Sequence, residues 1–270
     1  MGKEERYFMG IDVGTYESKG VLIDKDCRIL CQASQKHGLE NPRPGWYEHD
    51  AEAVWWGDVC KISRLLLERS RLDPAQIECV GLSALGCDCV PVDEHCRPLC
   101  KAILYGIDSR AQDEIEQIKS YYGDRFAQVF SRPLVSSSIS PKILWIKNHL
   151  PDVYFKTHKF LTASSFLTAK MTGRYCIDKY LIGSFAPLYD ETGINETQCS
   201  LFCRPEQQGQ KGEIKIEEHG CQQAVFPPQF PAEPTVCGTI KVKIFTLQFL
   251  TDRPDISKHS ALLTRCEDTP

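Results

Sequence analysis

Asp12, Gly14, Thr15 and Lys19 crowd into one short stretch near the N-terminus, Tyr7-Phe-Met-Gly-Ile-Asp12-Val-Gly14-Thr15-Tyr-Glu-Ser18-Lys19-Gly-Val-Leu-Ile-Asp24. Two apolar runs flank a polar turn, the pattern of a β-hairpin. Gly14 lets the backbone turn sharply and bring N–H groups close to an anion. Asp12, at the end of the first strand, is placed to hold a hydrated Mg²⁺ ion. Thr15 adds a hydroxyl and Lys19 a mobile positive charge, so the stretch has the parts of a phosphate-handling loop. A plain turn, with Asp12 capping its own backbone, is the competing reading. No Gly-Lys-Ser/Thr opens a helix here, and the later glycines of a dinucleotide fingerprint are missing.

Other candidates follow along the chain. Trp46 and Glu48 lie in a Pro- and Gly-rich loop, Asn41–Asp50, either as functional groups or as a lid over the core. Gly86-Cys87-Asp88 follows a β-run, a natural ligand position in a layered sheet, with a turn-stabilising Asp88 as the alternative. Asp108 and Arg110 precede a helix; Asp108 reads as its N-cap, and Arg110 could pair with Asp108 or reach a ligand. Lys142 and Trp145, three apart, share a helix face. Cys87, Cys89, Cys96 and Cys100 do not follow the usual zinc spacing, and Cys87 and Cys89 share one face of a strand, where Cys acts as a small hydrophobe.

The elements that must position these groups are readable in outline. A third antiparallel strand is predicted at Arg28–Lys36, giving a three-stranded meander and an α+β or mixed-sheet domain. Asp50 reads as the N-cap of a helix over 51–71, with Val54, Trp55, Val59, Ile62, Leu65 and Leu66 at helical spacing. Strands are expected at Ile77–Ser83 and Cys89–Asp93, and a helix at 109–122. Pro141 is read as opening a helix that ends at Pro151. A short strand from Lys159 and a helix from Ala163, closed by Thr172-Gly173, follow. Residues 1–195 form the expected core, and 196–240 a Pro- and Gln-rich remainder. Residues 241–270 read as a divergent, poorly ordered tail, although 239–250 could add a strand.

The 270 residues carry a net charge of −4, which supplies no basic footprint for nucleic acid. No apolar run approaches a membrane span, and the charged N-terminus does not read as a signal peptide. The expectation is a soluble, cytoplasmic protein without nucleic-acid or membrane partners. Its 14 cysteines are then thiols rather than a disulfide framework.

Together, the segments resemble the N-terminal half of an FGGY-family carbohydrate kinase, the group of xylulokinase, ribulokinase and glycerol kinase. The matching residues are Gly10-Ile-Asp-Val-Gly-Thr15, Pro44-Gly-Trp-Tyr-Glu48, Val80-Gly-Leu-Ser83, Pro98-Leu with Ala102-Ile-Leu-Tyr-Gly-Ile-Asp-Ser-Arg-Ala111, Pro141-Lys-Ile-Leu-Trp145, and Leu167 through Thr172-Gly173 to Asp178. The resemblance implies a ribonuclease H-like (actin/hexokinase-like ATPase) α/β domain, with a mixed sheet flanked by helices. It implies ATP and Mg²⁺ as cofactors and transfer of phosphoryl to a sugar or polyol hydroxyl. On it, Asp12 would hold the metal, and Gly14, Thr15 and Lys19 would surround phosphates. Trp46, Cys87, Asp88, Asp108 and Arg110 would serve the substrate.

The pattern departs from the family in three places. Gly86-Cys87 stands where xylulokinases have Met-His and glycerol kinases Arg-Glu, and Ser137 aligns with a substrate-contacting Tyr of glycerol kinases, so the sugar stays open. The family's Gly-rich segment with the general-base Asp is absent from these 270 residues. The family's second lobe is also absent. The chain alone is therefore expected to turn over little, with no catalytic residue assigned and its lobe partner missing. The alternative is a non-catalytic module that binds sugar or phosphate, or a dimerising interaction module.

Overall fold

Burial alternates along Tyr7–Val13 (β1), with Met9, Ile11 and Val13 inward and Asp12 outward, the period-2 pattern of a strand with one face against the core. The structure, a computed structural model, describes residues 6–130, 132–177, 180–190, 193–194, 200–202 and 243–246. β1 pairs antiparallel with Glu17–Asp24 (β2), which pairs antiparallel with Ile29–Lys36 (β3). β4 is the short strand Glu48–His49.

A π-helical turn, Ala51–Trp56, capped by the Asp50 carboxylate on the Ala53 N–H, leads into Gly57–Ser70 (α1). The helix from Asp50 is present, its first turn wound wider than expected. Strand Ile77–Ala84 (β5) runs parallel to β1. Val90–Val92 (β6) and Ala102–Ile103 (β7) follow, β7 pairing with β4. Then come Gln112–Tyr122 (α2), Phe126–Val129 (α3), Ile139–His149 (α4) and Pro151–Lys156 (α5). Lys159–Leu161 (β8) pairs with β6 before Ala163–Thr172 (α6), which ends on Gly173 in a left-handed C-cap. Two-residue strands Tyr189–Asp190 (β9) and Gly193–Ile194 (β10) pair with each other. Lys243–Thr246 (β11) lies parallel to β5.

The central sheet thus has order β11-β5-β1-β2-β3, a mixed sheet with a meander on one side and parallel strands on the other. Helix α1 covers the face that carries Met9, Ile11, Leu22 and Ala33, packing on β2 and β3 through Ile62 and Leu66. A second apolar cluster gathers α2 and α4 around Ile115, Ile118, Ile143 and Trp145. Among the described residues, no helix is long and apolar enough to cross a membrane, and no disulfide joins two cysteines.

Two boundary expectations are corrected. The helix with Pro141 in its first turn begins two residues earlier than expected, at Ile139. Pro151 does not merely end that helix; it starts α5 at the first position, where its missing N–H costs nothing. The tail strand falls inside the stretch expected at 239–250; most of 196–270 lies outside the described residues.

Candidate phosphate- and sugar-facing site

Asp12 pairs in register with Lys19 on β2 and with Ser83 on β5, so these side chains share the sheet face opposite α1. Asp12 and Lys19 are exposed, and the Lys19 ammonium lies 3.6 Å from Glu17. Gly14 closes the β1–β2 turn: a Cβ there would sit 2.9 Å from the Glu17 carbonyl, so any other residue would push the turn apart. Its N–H donates to that same carbonyl at 3.2 Å. The Gly14 amide is thus used inside the turn itself. Among the described residues, no hydrogen bond takes the amides of Thr15 or Tyr16.

Thr15 is tied to the next segment. Its hydroxyl lies 3.2 Å from the Tyr105 hydroxyl. The Tyr105 N–H in turn donates to Asp88 at 3.3 Å. One residue thus joins the β1–β2 turn, the Gly86–Asp88 loop and the 102–110 segment.

Asp108 and Arg110 lie behind the surface. Arg110 grips the Asp108 carboxylate through Nε at 3.0 Å and Nη2 at 2.7 Å, and reaches Glu48 through Nη1 at 2.7 Å. The Arg110 and Asp108 side chains are 2% and 1% exposed. Asp108 also accepts the N–H groups of Tyr47 and Arg110 itself. It is not the N-cap of α2, because that helix begins only at Gln112 and Ala111 takes the cap position. The guanidinium stacks 4.3 Å from Trp46 and 5.1 Å from Trp145, whose rings meet edge to face. Gly45, at φ +78° with Ser109 Oγ 2.5 Å from where a Cβ would stand, lets the Trp46 loop lie against Ser109. The ion pairs therefore orient Trp46, which remains half-buried at the edge of the site.

Asp88 is fully buried, and burial raises its carboxyl to about 7 against the pull of Lys142 and of backbone N–H groups. One of its oxygens has no hydrogen-bond partner among the described residues. Lys142, also buried and held below its ordinary value by that burial, donates to the Cys87 carbonyl at 2.7 Å. Cys87 is half-buried, at φ +62°, with its thiol 3.2 Å from the Ser184 hydroxyl, which accepts from Arg132. Cys89 and Cys96 are buried in the core, and no group of three metal-ligating side chains forms among the described residues.

Sequence reasoning passed over His37 and His49. Their rings meet edge to face 5.1 Å apart beneath the turn. The Trp55 indole donates to His49 Nδ1 at 3.0 Å, so His49 is neutral with its proton on Nε2. Burial and the nearby His37 charge lower it to about 4. An unfolded His49 takes up a proton below about 6.5, whereas the native ring resists it. Its stabilising contribution is thus present above about pH 6.5 and lost as pH falls toward 4. In urea titrations the difference between wild type and His49→Gln should shrink from about pH 7 to about pH 4.5, which spans most of that window; a constant difference would refute the assignment.

The description "FGGY family of carbohydrate kinases, N-terminal domain" matches residues 7–187. A glycerol kinase of Thermococcus gammatolerans is 27% identical over 178 residues, covering 64% of this chain and 36% of that protein. A xylulose kinase of Staphylococcus xylosus is 27% identical over 170 residues, covering 62% of this chain and 34% of its own length. The crystal structure of a xylulose kinase from Rhodospirillum rubrum superposes with a TM-score of 0.65 at 19% identity, covering 73% of this chain and 40% of that one. The chain spans about a third of the length of these curated relatives. Its sheet order and these matches place it in the actin/hexokinase-like ATPase fold; the chain belongs to the FGGY family of carbohydrate kinases and carries that family's N-terminal domain.

Proposed function

We propose that this chain supplies the phosphate- and sugar-facing half of an ATP-dependent kinase that phosphorylates a hydroxyl of a sugar or polyol. The observation that carries this reading is the double role of Tyr105, which meets Thr15 through its hydroxyl and Asp88 through its N–H. It sets the phosphate turn beside the loops expected to receive the sugar.

Asp12 fits a Mg²⁺ ion that keeps most of its water: it is one exposed carboxylate, and among the described residues no cage of ligands for a dehydrated ion forms. When bound with ATP, the ion neutralises phosphate oxygens. Lys19 adds a second positive charge on the same sheet face. The Thr15 hydroxyl and the open amides of the turn offer donors to phosphate. Trp46 presents an apolar ring edge to the sugar, held by the buried Arg110. Cys87, small and thiol-bearing, narrows the wall that Lys142 fixes through the Cys87 carbonyl. Asp88, Asp108 and Arg110 support the site from behind.

A coupled ADP-release assay across pentuloses, hexuloses and polyols tests this. Because no Gly-rich Asp segment stands within the 270 residues, the chain alone should show little turnover, general-base catalysis being worth about 10²–10⁴-fold. Mg²⁺-dependent binding of ATP should be lost in Asp12→Asn. Absence of any such binding to the wild-type chain would overturn the reading.

A further inference from the structure

His37 closes on the phosphate turn from the α1 side. Its backbone N–H donates to the Tyr16 carbonyl at 3.0 Å, and its Nε2 lies 3.0 Å from the Gly14 carbonyl. Its Nδ1 lies 2.7 Å from Asp58 Oδ2, which also accepts the Ser18 hydroxyl at 2.7 Å. The His37 and Asp58 side chains are 6% and 8% exposed.

A neutral imidazole carries one N–H, yet here both ring nitrogens face acceptors. Donation to the Gly14 carbonyl needs a proton on Nε2, and the short contact to the Asp58 carboxylate needs one on Nδ1. The geometry is that of an imidazolium pinned between a carboxylate and the carbonyl of the turn. Deprotonation would leave a lone pair facing either Asp58 or Gly14. The titratable groups that face this ring are Asp58 from α1 and His49 from β4, the latter held neutral by Trp55.

We infer that His37 is a positioning residue for the phosphate turn, fastening Gly14 and Tyr16 as an imidazolium, so that the turn's grip on a phosphate weakens as the ring loses its proton. The anion-binding part of this inference rests on the proposed phosphate-facing role of the turn; the clamp itself does not. The device belongs to this chain's own residues: His37 from the end of β3, Asp58 from the first turn of α1 and Ser18 from β2.

The full chain, labelled with ¹⁵N at histidine and in the backbone, can be titrated by NMR from about pH 5.5 to 8.5, the span over which histidines change charge. The Gly14 and Tyr16 amide resonances should shift with the His37 ring and share its midpoint. Inorganic pyrophosphate, followed by calorimetry, should bind about tenfold more weakly once His37 is neutral, the worth of one charge-assisted hydrogen bond. His37→Gln, which can donate to Gly14 without a proton, should lose this pH response; comparison at each pH removes the ligand's own ionisation. Amides that ignore the ring's titration, or a His37→Gln profile identical to wild type, would overturn the inference. If pyrophosphate does not bind at any pH, the phosphate reading fails, and the amide titration still decides the clamp.

Discussion

Arg110→Ala should lower the unfolding free energy by about 3–5 kcal/mol, the range for breaking a buried ion pair by removing one partner. That is a large share of the roughly 5–15 kcal/mol that holds a typical domain together. The cost is mostly what the change leaves behind. Asp108, 1% exposed, would keep its charge with only backbone N–H partners, and Glu48 would lose its cation. The flat guanidinium between Trp46 and Trp145 would also be gone. Arg110→Lys should not rescue this, because an ammonium cannot match the fork that Arg110 presents to Asp108 or stack on two indoles.

A second variant separates charge from packing. In the Arg110→Ala background, Asp108→Asn removes the stranded negative charge while keeping an acceptor for the Tyr47 N–H. About 1–2 kcal/mol of the loss should return. Urea unfolding followed by tryptophan fluorescence reads both effects, since two of the chain's four tryptophans flank the guanidinium. A loss under 1 kcal/mol for Arg110→Ala, the size of an exposed pair, would show that the pair acts like a surface salt bridge.

Much of the sheet was legible because it depends on local patterns. The alternation in Tyr7–Val13 and Glu17–Asp24 and the helical spacing after Asp50 mark β1, β2 and α1. What sequence could not show was depth. Asp108 looks like a helix cap and Arg110 like its partner or a ligand contact until Glu48, 62 residues from Arg110, completes a buried network. Asp88 looks like a turn residue beside a ligand, yet it is sealed beneath Tyr105. Lys142 reads as a polar helix residue, but the Cys87 carbonyl draws it inward. His37 was legible in principle: the β2–β3 register pairs Glu17 with Lys36, which brings the next residue to the β1–β2 turn. Its partner Asp58 is 21 residues on and lies on another element. That separation hid the clamp.

Asp88 should make the native chain lose stability as pH rises through the range where most carboxylates have long been ionised. Its carboxyl is raised from 3.8 to about 7 by burial, opposed by Lys142 and by backbone N–H groups. Between those values the native state keeps a proton that the unfolded chain has released, so stability must fall with rising pH there and level off above. The shift corresponds to about 4 kcal/mol across the window. This slope runs opposite to that of His49, so variants are needed to separate them. Asp88→Asn keeps an acceptor for the Tyr105 N–H and cannot ionise, so its Asp88-dependent slope should vanish. Below about pH 3.8, where the unfolded carboxyl is protonated too, it should match wild type, and near pH 8 exceed it by about 1–3 kcal/mol, the unpaired Lys142 ammonium offsetting the rest. Lys142→Met should move the wild-type fall to higher pH, because the cation that draws the proton off Asp88 is gone. Parallel slopes in wild type and Asp88→Asn would sink the assignment. The two substitutions also differ at the surface: Asp88→Asn should leave Tyr105 against Thr15, whereas Asp88→Ala frees the Tyr105 amide and should loosen the contact that joins the β1–β2 turn to the Gly86–Asp88 loop.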